Sequence, residues 1–269
     1  MEEQALYVRD GDGFVGTILT QGGWDPDGAN GGTVLALLGH CLEDVPTLVP
    51  MTISRFTADL VRPAPIGRRL LVEPTVLREG KKIQVVQLLL TGGDGTEYVR
   101  ATVLRLRDAD LREEGVPPST TDARPADALL RPEASIEMRA VSPSQPGFLA
   151  AVDLRRAATI DGAGSGAWVR LTASVVAGEP VRPSARLALA IDFANLVGLY
   201  GPVASLTMIN PDVTAHVLRL PTVDDGWVAI TGDTRFHPAL GRGLSMAALS
   251  DDDGVFAFAS TSQLIQPRP

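Results

Sequence analysis

From Met208 to Leu218 polar and apolar residues alternate, with Asn210, Asp212, Thr214 and His216 interleaved among Pro211, Val213, Ala215 and Val217. A period of two is that of a strand with one polar and one apolar face. The stretch Thr52 to Pro63 has the same build. Phe56-Thr57-Ala58-Asp59-Leu60-Val61-Arg62 aligns with Val213-Thr214-Ala215-His216-Val217-Leu218-Arg219 at a separation of 157 positions (214 − 57), so the chain reads as a duplication. Ahead of the first copy's strand, the glycine-rich loop from Gln21 to Gly32 runs into Thr33 to Leu42, which is apolar nearly all round and predicts a buried helix. Strands are predicted over 51–62, 69–77, 83–90 and 97–106, with Gly92-Gly93-Asp94-Gly95 as a hairpin turn. One buried helix followed by an antiparallel meander makes an α+β unit whose sheet lays its apolar face on the helix.

Between Asp108 and Gly147 the periodicity fades, and six prolines (Pro117, Pro118, Pro125, Pro132, Pro143, Pro146) mark a connection. The pattern then returns. Trp168 to Val175 alternates as a strand, and Ser184 after Pro183 is placed to cap a helix through Leu187, Ile191, Phe193 and Leu196 toward Tyr200. Strands follow at 208–218, 227–235, 243–249 and 255–265, the last two joined by Asp251-Asp252-Asp253-Gly254. Gly254 follows Gly95 by 159 positions (254 − 95), and at that offset Thr102 matches Thr261 and Leu104 matches Gln263. The chain thus divides into an N-terminal domain over 1–107, a Pro-rich linker over 108–147 and a C-terminal domain over 148–269.

Composition narrows the classes. With 269 residues, 45% hydrophobic and 21% charged, the chain has the make-up of an ordinary globular protein. A net charge of -8, with Lys81 and Lys82 the only lysines, argues against a nucleic-acid partner, whose phosphates need clustered cations. No apolar run approaches the ~20 residues of a membrane span. The acidic start MEEQALYVRDGDG lacks the features of a secretion signal. The single cysteine, Cys41, sits in the apolar helix as a core residue, so a reducing cytoplasmic location is expected. Three histidines and one cysteine show no ligand spacing, so no metal and no cofactor are expected.

Three polar residues interrupt apolar surroundings in the second copy alone: Asp192, Asn210 and Gln263. The first copy has Ile53 and Leu104 at two of the matching places. Each has a bland explanation: Asp192 as the cap of a helical segment starting at Phe193, Asn210 as turn chemistry before proline, and Gln263 as a partner for backbone. Together they point to chemistry, because a carboxylate held among apolar groups can act as a general base while amides orient a water. The Gly31-Gly32 pair at the helix start offers either free N–H groups to a ligand or room for close packing.

These residues carry a resemblance. Trp24-Asp25 through Gly31-Gly32, Val176-Ala177-Gly178-Glu179, Ala190 to Asn195, Ile209 to His216 and Ala259 to Gln263 resemble the double-hotdog acyl-CoA thioesterases related to acyl-CoA thioesterase II, over nearly the whole chain. The resemblance implies a double hotdog, two tandem antiparallel sheets each wrapped on a helix, and hydrolysis of acyl-CoA thioesters by an Asp, a Thr or Ser, and a Gln that position and activate water. Carried over, Asp192 is the Asp and Gln263 the Gln. Asn210 stands where the family has a hydroxyl. Gly31, Gly32 and Trp24 become candidate substrate contacts, and Arg62, Arg219 and Arg235 candidate partners for the phosphates of CoA.

Two rival readings share the scaffold. A hotdog hydratase or dehydratase would need His40, His216 or His237 beside the carboxylate. A non-catalytic acyl-binding or assembly module would keep the tunnel and lose the chemistry, as the missing hydroxyl at Asn210 would allow. Sheet edges of this kind are commonly covered by further subunits, so a homo-oligomer is expected.

Overall fold

The computed structural model describes residues 4–23, 25–115, 125–138, 147–162, 164–197, 206–222 and 226–267. Two strands that the alternation does not announce open it, β1 (Ala5–Asp10) and β2 (Gly13–Gly16). Then come α1 (Gly31–Leu42) and four strands, β3 (Met51–Leu60), β4 (Arg69–Arg78), β5 (Ile83–Gly92) and β6 (Glu97–Arg107). After β7 (Ile136–Glu137) and β8 (Val152–Ala158), the second half repeats the plan with β9 (Ser165–Leu171), β10 (Ser174–Val176) and α2 (Pro183–Asp192). It ends with β11 (Leu206–Ile209), β12 (Asp212–Val217), β13 (Val228–His237), β14 (Arg242–Asp251) and β15 (Gly254–Pro267).

All strands join one sheet in the order β10-β1-β2-β4-β5-β6-β3-β12-β15-β14-β13-β9-β8-β7, with β11 paired to β15. Pairing is antiparallel except between β1 and β10. The run β2-β4-β5-β6-β3 is repeated as β9-β13-β14-β15-β12, and in each half a helix follows the first strand of the run. The halves meet where β3 pairs β12, with Thr57 opposite Thr214. These two threonines are also each other's repeat mates, so a local two-fold axis passes between them, and the Thr214 hydroxyl donates to Thr57 Oγ1 at 3.3 Å.

Asn30 caps α1: its Oδ1 accepts the Thr33 N–H at 3.3 Å, and the Thr33 hydroxyl returns to the Asn30 carbonyl at 2.8 Å. The helix begins at Gly31 rather than Thr33, and ten of its residues are buried because it lies between the sheet and α2. Ser184 does not cap α2. Pro183 occupies the first turn, where its missing N–H costs nothing, and the Ser184 N–H donates instead to Glu43 Oε1 at 2.9 Å. The helices run antiparallel and touch closely at Gly39, where a Cβ would stand 2.4 Å from the Ser184 carbonyl oxygen.

Three further expectations change. Trp168 to Val175 is not one strand: it breaks at Thr172-Ala173, β9 staying with β13 and β8 while β10 crosses to β1. The predicted helix toward Tyr200 leaves α-geometry at Phe193 for a 3₁₀ turn, Phe193–Leu196, and Tyr200 lies outside the described residues. Within 108–147, residues 125–138 are not a free linker. Ala126 and Leu129 are buried with Ala157, Trp168 and Ala229, and the Trp168 indole N–H donates to the Leu130 carbonyl at 2.9 Å.

Candidate active site

The predicted strand from Met208 to Leu218 is interrupted at Asn210-Pro211. Both fragments pair with β15, but Ile209 faces Leu264 whereas Thr214 faces Ser260, so one extra residue is taken up between them. Proline has no N–H for the ladder, and a bulge at this point turns Asn210 out of the strand's alternation. The first half has the same device. Ile53 faces Arg105 and Arg55 faces Leu104, with Ser54 as the extra residue. This register corrects the sequence alignment: Thr57 faces Thr102 and Thr214 faces Ser260, so β6 and β15 match at an offset of 158 (260 − 102). The counterpart of Gln263 is therefore Arg105, not Leu104, and that of Asn210 is Ile53.

Asp192 ends α2 with its side chain buried. It makes no cap to the turn that follows, so the capping explanation fails. Its carboxylate lies against the start of α1 from the other half. A Cβ on Gly31 would meet Asp192 Oδ1 at 2.8 Å, and one on Gly32 would meet Oδ2 at 3.3 Å. The glycines are thus required by close approach, and the positive end of the α1 dipole faces the negative group. Burial pushes the Asp192 carboxyl up to about 6, against the opposing pull of the Gly32 N–H and of Asn210. Oδ1 has no hydrogen-bond partner.

Asn210 is held at both ends. Its Nδ2 donates to the Asp192 main-chain carbonyl at 3.1 Å, and its Oδ1 accepts from Asn195 Nδ2 at 3.1 Å. The second bond fixes the amide's orientation, and Asn195 is a positioning residue that its sequence context does not reveal. The Phe193–Leu196 turn, which carries Asn195, packs on β14 and β15.

Gln263 is buried on β15, and extending the Ile209–Leu264 register by one residue places it opposite Asn210. It is not bonded to Asp192 or Asn210. Its Nε2 donates to Ser245 Oγ at 3.0 Å; Ser245 and Thr234 share a hydrogen bond at 2.7 Å, and Thr234 donates to the Val197 carbonyl. The chain runs in one direction, from amide to carbonyl, and leaves Gln263 Oε1 without a partner. Gly243 makes room for it, since a Cβ there would meet Oε1 at 2.4 Å. Ser245 and Thr234 are invisible to pattern reading, because lone hydroxyls on strands are commonplace.

The other candidates fall elsewhere. Trp24 lies outside the described residues. Arg219 is committed to Asp251 and the Gly254 carbonyl, closing the last hairpin, so it is no phosphate partner. Arg235 pairs with Asp233 at the surface, and Arg62 donates to the Glu97 carbonyl. His40 bonds Glu179 at 2.9 Å near the far end of α1, while His216 and His237 are exposed, so none partners Asp192. No group of three metal-ligating side chains occurs among the described residues, and no helix there is long and apolar enough to cross a membrane.

Residues 20–106 match the family model of the acyl-CoA thioesterase N-terminal domain, and residues 121–265 that of the C-terminal domain. Among solved structures the chain is similar to a candidate thioesterase II from Thermobifida fusca YX, at 19% identity and a TM-score of 0.69, over 97% of this chain and 95% of that one. An acyl-CoA thioesterase II TesB2 from Mycobacterium marinum aligns at 15% identity and a TM-score of 0.62, over 99% and 95%. A protein of unknown function with a hot dog fold from Alicyclobacillus acidocaldarius aligns at 16% and 0.66, over 97% and 95%. No curated protein matches.

Proposed function

The chain belongs to the acyl-CoA thioesterase family, and from that premise we propose that it is a double hotdog that hydrolyses acyl-CoA thioesters at Asp192. The observation that carries the reading is the buried Asp192 carboxylate, raised to about 6 and with Oδ1 unpartnered, at the glycine-rich start of the opposite helix. A base with that pKa is ionised at neutral pH yet close enough in strength to accept a proton from water.

In the proposed step a water held by Asp192 and Gln263 attacks the thioester carbonyl carbon and gives its proton to Asp192. The C–S bond breaks, CoA leaves as thiolate, and the proton passes from Asp192 to the sulfur. Asn210, whose amide already acts on the Asp192 carboxylate, holds that group in place, and Asp192 Oδ1 with Gln263 Oε1 are two open acceptors, which suit the two O–H bonds of one water. For the oxyanion, the Gly32 N–H already pulls on Asp192, which leaves the Gly31 N–H, half-buried and accepted by no described group. No covalent enzyme intermediate is needed.

A second reading, a non-catalytic acyl-binding module, is favoured by one observation: both ends of the Asn210 amide are already engaged. Thiol release from acyl-CoAs of graded chain length, with Asp192→Ala and Gln263→Ala in parallel, separates the two. Turnover lost in Asp192→Ala supports hydrolysis; equal background rates in all three proteins, with binding retained, make the chain a module.

The proposal includes self-association, but for a different reason than sheet edges. The edge strands β7 and β10 have two and three residues, too short to invite pairing. Exposed apolar groups gather instead on the outer face of β14 and β15, with Phe258 and Met246 each 64% exposed.

A further inference from the structure

The local two-fold axis implies a second cleft, and the structure has it. A cavity of about 300 Å³ is lined by Glu43, Met51, Ile53, Arg105, Ser184 and Leu220, among others. Ile53 and Arg105 are the counterparts of Asn210 and Gln263. Glu43 takes the place of Asp192, since each carboxylate comes from the end of one helix and accepts the second N–H of the other. The cleft therefore shares the backbone plan of the Asp192 end and differs in its chemistry.

Arg105 is 6% exposed and makes no ion pair among the described residues. Its Nη1 donates to the Val45 carbonyl at 2.8 Å and to Gln84 Oε1 at 3.0 Å, and Nη2 donates to the Leu42 carbonyl. That uses three of five donors. Nε has no acceptor among the described residues, and Arg105 lines the cleft. Two carboxylates, Glu43 and Glu79, act on it from a distance without pairing with it: both are exposed, Glu43 Oε1 accepts the Ser184 N–H, and Glu79 Oε2 accepts from Gln84 Nε2 at 2.9 Å. A buried cation with no ion pair in contact is costly, and a carboxylate is the group that an arginine's open donors suit. Of the remaining walls, Thr47 and Thr52 are polar, while Val45, Met51, Ile53, Pro183 and Leu220 are apolar and offer a short hydrocarbon tail a surface. A volume near the lower limit for small-molecule pockets sets a short chain.

We propose that this cleft is a second ligand site, taking a short-chain monocarboxylate with its headgroup on Arg105 and its alkyl tail against Met51, Ile53 and Leu220. The site does not depend on thioester hydrolysis, although its ligand is of the class that such hydrolysis would release.

The test titrates butyrate, hexanoate and octanoate into the full chain by ligand-observed NMR and calorimetry. The variants are Arg105→Gln, Leu220→Trp, which fills the cleft from a loop and leaves the charge intact, and Asp192→Ala. Binding weakened at least about tenfold in Arg105→Gln and in Leu220→Trp, and unchanged in Asp192→Ala, is the expected result. If Arg105→Gln fails to fold, because it frees the carbonyls at the end of α1, Leu220→Trp decides alone. No binding at millimolar acid overturns the proposal, as does binding lost in Asp192→Ala but kept in Leu220→Trp, which would assign the acid to the Asp192 site. Equal competition by inorganic phosphate would overturn the ligand class.

Discussion

The two halves share strand order, a bulge at the same step of the same strand, and a carboxylate from the end of each helix set against the start of the other. They differ at three positions: Glu43, Ile53 and Arg105 in one, Asp192, Asn210 and Gln263 in the other. What separates them chemically is burial. Glu43 reaches the facing amide from an exposed position, whereas Asp192 is 5% exposed and its carboxyl is raised to about 6. The same backbone thus holds an exposed carboxylate at one end and a buried one, raised toward neutrality, at the other. Gly31 and Gly32 let Asp192 press onto the helix start, whereas Glu43 reaches the Ser184 N–H from an exposed position.

The sharpest way to break this contrast is to exchange the carboxylates. Asp192→Asn should lower the rate of thiol release by about 10²- to 10⁴-fold, the usual weight of a general base, while Glu43→Gln leaves it within about twofold. Equal losses would mean that both clefts act. The same Asp192→Asn change should stabilise the fold at neutral pH. A carboxyl whose folded value is raised binds its proton more tightly folded than unfolded, so its contribution is full below about 3.8, falls as pH rises toward about 6, and is lost above. About two units correspond to on the order of 3 kcal/mol, which thermal melts at pH 8 and pH 4 would read as a gain present at the first and absent at the second.

Next in size is Gly31→Ala, whose methyl would meet Asp192 Oδ1; a loss of about 10²-fold in turnover is expected from displacement of the carboxylate by such a fraction of an ångström. The activity of the wild type should also rise with pH through about 6 as Asp192 ionises, and a flat profile from pH 5 to 8 would remove it as the base. Asn195→Ala, which frees the Asn210 amide to turn, should cost about tenfold in kcat with KM little changed, and Asn195→Asp should recover part of it only below the pH at which the new carboxylate ionises. The smallest effect concerns assembly: Phe258→Ser should shift sedimentation toward monomer without altering the rate per chain.

Much of the plan is legible in the residues because alternation and the repeat both survive in them. The strands of each meander, the buried first helix and the two hairpin turns stand close to where periodicity puts them. The bulges do not show in the sequence, since Ser54 and Pro211 are ordinary residues in alternating runs, and one unseen extra residue shifts every later match by a face. That is why the sequence alone pairs Leu104, not Arg105, with Gln263. The short strands β1, β2 and β10 escape because their order depends on partners distant in the chain. Of the site, Asp192, Asn210 and Gln263 stand out as polar breaks in apolar runs. Asn195, Ser245 and Thr234 do not, because orienting an amide takes only a common polar residue, and its value lies in direction rather than type.

The parallel pair β1–β10 has a consequence for biosynthesis. Arg9 and Glu179, 170 positions apart, meet beside it, and His40 of α1 bonds the same glutamate. On a ribosome the N-terminal half therefore emerges with one flank unclosed, and α1 has no second helix to cover it until residues beyond 180 have been made. Contacts of such long separation form late. A newly made first half is thus the species that a chaperone would meet, and a stop codon placed between the halves should yield an insoluble fragment rather than a small stable domain.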